Sequence, residues 1–263
     1  MDKEIETMKM KDKVVIITGA SRGIGKAFAL GFAEEGADIV VTARTEVQKD
    51  EKLPGTIHET ADMVRDLGRR AIAVKTDVSK EEDVNNMVQA AMDEFGKVDI
   101  MIHNAALAFW YKLWETPTKL WDLVYKVNLR GSFLCAKAVL PHMIEQKSGS
   151  ILNISSPAGD MDTGVRGGMA YSASKAGVDR LSNGLAEEVK EYGISVNSLK
   201  PVDFIDTEGA RYWSPPDTDF SKWSTPELFT KCAMFLTSQT SDGVTGRVFT
   251  EKAMEKEFDL DNF

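Results

Sequence analysis

Tyr171 and Lys175, in the run Tyr171-Ser172-Ala173-Ser174-Lys175, are four residues apart in a stretch with helical patterning. On a helix that spacing puts both side chains on one face, one turn apart. A free phenol has a pKa of about 10, too high for a base at neutral pH. A neighbouring ammonium favours the phenolate and brings the value down. The pair could therefore take up and release a proton. Taken alone, Tyr-x-x-x-Lys is common on helix surfaces, where it does no chemistry. Here it follows Asn153-Ile154-Ser155-Ser156 at the end of an apolar strand-like run, and open α/β sheets hold ligands beyond the carboxyl ends of their strands.

A second constellation is Thr18-Gly19-Ala20-Ser21-Arg22-Gly23-Ile24-Gly25, between the β-branched run Val14-Val15-Ile16-Ile17 and a helical pattern. Unpaired N–H groups and the positive end of the helix dipole meet at such a junction, which suits a pyrophosphate. Gly19 permits the tight turn, Gly23 lets the backbone approach phosphates, and Gly25 lets helix and sheet pack closely. The spacing G-x-x-x-G-x-G departs from G-x-G-x-x-G, and three glycines can serve a turn alone. The strand before and the helix after favour a dinucleotide. The next strand ends in Thr42-Ala43-Arg44, without the carboxylate that would bind the ribose hydroxyls of NAD. Arg44 with Arg22 could clamp a 2′-phosphate, so NADP is expected over NAD. The plainer alternative is two solvated arginines, and Glu46 or Asp50 could reach the ribose of NAD instead.

These residues need a scaffold, and the chain alternates strand and helix throughout. Strands are expected at 14–17, 39–41, 71–74, 99–103, 150–154, 195–199 and 246–249. Helices are expected at 24–35, 56–67, 81–95, 119–146, 171–191 and 226–236. This predicts an α/β fold: a Rossmann-like, doubly wound, parallel seven-stranded sheet with helices on both faces, in a single domain over 1–263. Residues 1–12 read as an N-terminal extension. The stretches 44–55 and 201–225 are long for connections; the second, rich in aromatics and prolines, reads as a substrate lid loop.

Of 263 residues 43% are apolar and 28% charged, enough for a sizeable core. A net charge of −9 opposes phosphate neutralisation, so no nucleic-acid partner is expected. The charged N-terminus offers neither a signal peptide nor a membrane span. Cys135 and Cys232 sit in apolar helical contexts and point to a reducing, cytoplasmic location. His58, His103 and His142 do not cluster, so no metal site is expected. His103, ending a buried strand, reads as hydrogen-bonded structure more readily than as an acid or base.

Taken in order, Thr18 to Gly25, Asp77-Val78, Asn104-Ala105, Asn128, Ser155-Ser156 and Tyr171 to Lys175 resemble the short-chain dehydrogenase/reductase family over nearly the whole chain. Leu53-Pro54-Gly55-Thr56-Ile57 and Glu115-Thr116-Pro117-Thr118-Lys119 resemble its hydroxysteroid-dehydrogenase-like and citronellol-dehydrogenase-like branch. The resemblance implies that Tyr171 exchanges the proton and that Lys175 lowers its pKa and holds the nicotinamide ribose. It implies that Ser156 binds the substrate oxygen and Asn128 supports a water relay to Lys175. Asp77-Val78 would lie along the adenine, Asn104-Ala105 would line the cleft, and Thr207, after Pro201-Val202, would contact the carboxamide side. A homodimer or homotetramer is likewise implied.

The chain departs from the family pattern in four places. His103-Asn104-Ala105-Ala106 replaces Asn-Asn-Ala-Gly, Pro201-Val202 replaces Pro-Gly, and no Asp-Gly-Gly follows Val244-Thr245-Gly246, so the C-terminus should pack differently. Ser156 and Tyr171 are spaced more widely than usual, with 160–168 as the expected bulge and Ser155 as the substitute. The leading expectation is an NADP(H)-dependent oxidoreductase that interconverts a ketone or aldehyde and an alcohol. Phe109, Trp110, Tyr111, Trp114, Tyr212, Trp213 and Trp223 suggest a small apolar or aromatic substrate. The alternative is a catalytically impaired cofactor-binding scaffold or redox sensor. A cofactor-free lyase would need a degraded glycine loop.

Overall fold

The computed structural model describes residues 8–48, 50–162, 166–260 and 263. Seven strands form one sheet: β1 (Val14–Thr18), β2 (Asp38–Ala43), β3 (Ala71–Lys75), β4 (Ile100–His103), β5 (Gly149–Ile154), β6 (Ile194–Lys200) and β7 (Val248–Thr250). Their order is β3-β2-β1-β4-β5-β6-β7, every pairing parallel. From β1 the chain winds outward through β2 and β3, then crosses back to β4 on the other side. The resulting switch point opens a crevice at the carboxyl ends of β1 and β4.

The sheet is buried on both faces, which is why its central strands are nearly continuous apolar runs. In β1, Val15 and Ile17 face one core with Phe28, Phe32 and Phe229, while Val14 and Ile16 face a second with Met87, Val139 and Met143. The first core packs under α1 (Gly23–Glu34), α2 (Ile57–Asp66) and α7 (Pro226–Thr237). The second packs under α3 (Glu81–Phe95), α4 (Thr118–Gln146) and α5 (Met169–Val189). Thr56 starts α2 with a capping box: its hydroxyl accepts from the Glu59 N–H, and the Glu59 carboxylate accepts from the Thr56 N–H.

Residues 201–225 are not the plain loop expected. They contain α6 (Glu208–Trp213), which Thr207 caps by accepting the Ala210 N–H, and a 3-10 turn at Phe220–Lys222. An Ile205 to Ser224 bridge closes their base. A last helix, α8 (Glu251–Glu257), was likewise not expected, and β7 begins at Val248 because Gly246 takes a left-handed φ of 71°. In the C-terminal segment, Phe258 and Phe263 lie 4.6 and 5.2 Å from Phe235, ring to ring. Of the N-terminal extension, 1–7 lie outside the described residues. Met10 is buried and its N–H donates to the Glu35 carbonyl at 2.9 Å.

Phe28 and Phe229 are fully buried and stack with ring centroids 5.8 Å apart, joining α1 to α7. Phe229→Ala should therefore cost about 3–5 kcal/mol, read as a fall in the denaturant midpoint at unchanged slope. A loss below about 1 kcal/mol would show that this contact does not hold α1 in place.

Candidate active site

The glycine loop joins β1 to α1 with Gly19 at φ +69° and Gly23 at φ +61°, both in the left-handed region that favours glycine. A Cβ on Gly25 would lie 2.4 Å from the Gly19 carbonyl oxygen, so helix and loop can pack this closely only around a bare α-carbon. The free N–H of Gly23 at the start of α1 donates to Glu208 Oε2 at 3.2 Å, and Lys26 Nζ is 3.9 Å from Oε1. A carboxylate from α6 thus stands where dipole and N–H favour an anion.

Asn104, just past β4, fastens this loop. Its side-chain amide donates to the carbonyls of Thr18 (2.9 Å) and Gly19 (3.3 Å), and the N–H groups of Asn104 and Ala105 donate to Thr18 Oγ1 at 3.0 and 3.1 Å. Along the crevice from there lie Ser21, Arg22, Arg44, Asp77, Val78 and Ala106. Arg22 donates to the Pro54 and Gly55 carbonyls at 3.0 and 2.7 Å, which ties the 44–55 connection to the glycine loop. Arg44 is exposed at the crevice edge. Both carboxylates that could have served a ribose are engaged elsewhere: Glu46 pairs with Lys75 at 2.7 Å, and Asp50 accepts from the Tyr212 hydroxyl at 2.6 Å. Asp77 accepts from the Ser79 N–H and hydroxyl at 3.1 and 2.7 Å.

The proton-transfer candidates meet at the carboxyl end of β5. Ser156 faces the Tyr171 phenol closely enough for its hydrogen bond to pull the phenol pKa down. Burial outweighs this and sets the net shift upward. The lowering expected from Lys175 is therefore not the dominant effect. Lys175 is 2% exposed, donates to the Ile154 carbonyl at 2.6 Å, and has its Nζ 5.7 Å from the Tyr171 ring centre. Burial pulls its ammonium down to about 8, against the opposing charge of Asp179. Ser155 is turned away: its hydroxyl donates to the Lys175 carbonyl at 3.5 Å.

Asn128, buried on α4, ties the two halves together. Its amide donates to the Leu107 carbonyl and to Ser174 Oγ, both at 3.0 Å, and its oxygen accepts the Leu107 N–H at 2.9 Å. Leu107 belongs to the crevice wall and Ser174 to the helix of Tyr171, so one side chain sets the spacing between them.

His103 is fully buried, and burial with the Lys175 charge pushes its pKa down to about 3. It is neutral at physiological pH, yet its Nε2 has no hydrogen-bond partner among the described residues. The expectation of a hydrogen-bonded structural histidine thus fails at this atom, because β4 delivers it against Gly131 and Val78. Residues 163–165 of the 160–168 bulge lie outside the described residues. Gly168 has φ +67°, and a Cβ there would lie 2.6 Å from the Trp110 ring, whose centroid is 6.0 Å from that of Tyr171. Trp110 is 59% exposed, so an indole flanks the phenol with surface to spare.

Pro201-Val202 follows β6, where the buried Glu251 of α8 accepts the Val202 N–H with both oxygens (3.0 and 2.8 Å). Thr207 lies next to Gly23, its Oγ1 3.7 Å from where a Cβ would be. Glu251 and Glu208 were missed as parts of this region, and Tyr212, expected among the aromatics of the substrate side, was not foreseen as the partner of Asp50. They act from helices too short to show periodicity, on partners far away in sequence. Among the described residues no helix is long and apolar enough to cross a membrane, and no three His, Cys, Asp or Glu side chains converge to hold a metal ion.

Residues 13–217 match the family model described as short chain dehydrogenase. The chain is 41% identical over 201 residues to hydroxysteroid dehydrogenase-like protein 2 of Bos taurus, covering 76% of this chain and 48% of that protein. It is 35% identical over 257 residues to the Homo sapiens protein of the same name, covering 98% and 60%. The chain thus spans about half to three fifths of these relatives' length. Among solved structures it is similar to a short-chain type dehydrogenase/reductase from Mycobacterium marinum, with a TM-score of 0.79, 27% identity, and 94% of this chain and 96% of that one covered. The crevice, the sheet order and these matches agree, and the chain belongs to the short-chain dehydrogenase/reductase family of oxidoreductases, on its hydroxysteroid-dehydrogenase-like branch.

Proposed function

We propose that this protein interconverts a ketone or aldehyde and the corresponding alcohol with NADP(H), Tyr171 acting as general acid and base. The observation that carries this is the meeting of Tyr171, Ser156 and Lys175 at the end of β5, coupled through Asn128 to the crevice that begins at the glycine loop. A dinucleotide in the crevice is supported by the close loop packing that only a bare α-carbon at Gly25 permits, and by the Glu208 carboxylate that the Gly23 N–H at the start of α1 already holds.

In this reading Gly19, Ser21, Arg22, Gly23, Ile24 and Gly25 form the pyrophosphate cradle, Asp77 and Val78 flank the adenine, and Asn104 and Ala105 wall the crevice. Pro201, Val202 and Thr207 border the nicotinamide side, with 201–225 as a lid. Arg44 takes the 2′-phosphate, a role supported by its exposure at the edge and by the engagement of Glu46 and Asp50 elsewhere. When bound, the nicotinamide supplies or accepts the hydride. The protein handles the proton. Ser156 hydrogen-bonds the substrate oxygen, and the buried phenol keeps its proton until charge develops on that oxygen. The Lys175 ammonium then stabilises the phenolate left behind, and Asn128 supports the water relay to it. The open indole of Trp110 beside the phenol supports an apolar or aromatic substrate. The two buried free thiols suit a reducing cytoplasm, and a homodimer or homotetramer is the proposed assembly.

Purified protein incubated with NADPH and a panel of ketones and aldehydes should oxidise the cofactor, and Tyr171→Phe should slow this by about 10²–10⁴-fold. Turnover that survives the substitution excludes the tyrosine mechanism. Tight NADPH binding without turnover on any carbonyl would favour the scaffold reading. Arg44→Asp should lower kcat/KM for NADPH by about 10–100-fold, as expected for losing a charge-assisted hydrogen bond, while sparing NADH. A wild type that prefers NADH refutes the assignment of Arg44.

Lys175→Met should abolish turnover and yet raise Tm at pH 7, because the ammonium is buried at a cost. The folded pKa of about 8 lies below the unfolded value of 10.5. The cost is therefore full below pH 8 and is relieved as pH rises from 8 to 10.5, where the folded lysine is neutral and the unfolded one charged. The Tm gain should shrink across that window. A gain that is constant with pH would contradict a depressed Lys175.

A further inference from the structure

Helix α5 carries a third charged residue in register with Tyr171 and Lys175. Asp179 lies one turn beyond Lys175 on the same face. Its side chain is 16% exposed and its Oδ1 has no hydrogen-bond partner among the described residues. A carboxylate so placed needs a countercharge. Lys200, the last residue of β6, provides one: its Nζ is 3.9 Å from Asp179 Oδ2 and ion-paired with Asp160, and its side chain is 11% exposed. Opposite charges thus alternate from beneath the phenol to the protein surface in the order Lys175, Asp179, Lys200, Asp160.

We propose that Asp179, held by Lys200, is a positioning residue that acts on Tyr171 through Lys175, keeping that lysine protonated while the phenol exchanges its proton. This rests on reading Tyr171 and Lys175 as the proton-transfer pair. The groups facing Lys175 from each neighbouring element are few. Its own helix brings Tyr171 and Asp179. Strand β4 brings His103, neutral at physiological pH, and β5 brings the Ile154 carbonyl. Strand β6 and the segment after the 3-10 turn Pro157–Gly159 bring Lys200 and Asp160, which reach Lys175 by way of Asp179. Among the described groups the negative charge that opposes the burial of Lys175 is that of Asp179. The carboxyl of Asp179 is itself pushed up by burial and, to a lesser degree, by the Asp160 charge, and the Ser155 hydroxyl, the Lys200 ammonium and the Ser198 hydroxyl pull it back. Removing the charge of Asp179 should therefore weaken the hold of Lys175 on its proton, and removing Lys200 should do so in so far as it lets the Asp179 carboxyl take up a proton.

The test follows Lys175 directly, by NMR titration of protein labelled with ¹³C at lysine Cε, the resonance being assigned with Lys175→Arg. It is paired with the pH dependence of kcat/KM for carbonyl reduction. In the wild type kcat/KM should fall as pH rises through about 8. Asp179→Asn should move both the Lys175 titration and that limb down by about one pH unit, a tenfold loss in proton affinity. Lys200→Met should move them in the same direction by less, and the double variant should move them no further than Asp179→Asn. Asp179→Glu, which keeps the charge, should restore the wild-type limb, and it carries the test with Lys200→Met if Asp179→Asn does not fold. Lys175 titrating at the same pH in wild type and in folded Asp179→Asn overturns the proposal while leaving the proton-transfer reading intact. A shifted titration with an unmoved kcat/KM limb overturns the positioning role and also counts against Lys175 as the partner of Tyr171.

Discussion

The knot between Thr18 and Asn104 is the constraint on which the rest of the site hangs. Strands β1 and β4 are neighbours in the sheet, yet their chains leave in different directions, and nothing in the ladder itself holds their ends together. Thr18 Oγ1 receives two N–H groups from the start of the β4 exit, and the Asn104 amide returns two bonds to the β1 exit. These bonds fix the left-handed Gly19 and bring the Asn104 side chain to the place that Gly25 must leave free. From there the crevice wall runs through Ala105 to Leu107, which Asn128 grips before reaching α5 at Ser174. Side-chain bonds across 86 and 46 residues thus determine where Tyr171 lies relative to the glycine loop.

Much of this was legible in the sequence because it repeats. The strands alternate between two cores or are apolar throughout, the long helices show their apolar stripes, and the glycine loop and Tyr-x-x-x-Lys pair carry fixed spacings. What escaped has no local period. Helices of six and seven residues, α6 and α8, make fewer than two full turns of pattern. Glu251 looks like any charged residue of a polar segment, yet it is buried and takes the place of backbone partners at Val202. Lys200 ends a buried strand beside Pro201, where its charge gives no hint of Asp160 forty residues earlier. His103 illustrates the converse: its burial was foreseen, but whether its Nε2 would find a partner depended on what faces β4, which no spacing encodes.

The electrostatics of the proposed proton-transfer pair differ from the sequence expectation in an instructive way. A lysine near a phenol was expected to lower the phenol pKa, but burial acts on both groups at once. It raises Tyr171 and lowers Lys175, so that each side chain is driven toward its neutral form. Each charge is costly alone, and the two penalties have a common remedy. Once the phenol has given up its proton, the phenolate joins Asp179 as a countercharge to the buried ammonium, and the ammonium is the countercharge to the phenolate. The two ionisations are therefore coupled, and the pair titrates as a unit more than as two separate residues. A phenol in such a site holds its proton firmly while the substrate oxygen is uncharged. In the proposed reaction it releases the proton at modest cost when charge develops there, because the product of the transfer is an ion pair already in place. The requirement is that Lys175 stay protonated until that moment, and this makes the charge of Asp179, one helical turn away, part of the same device.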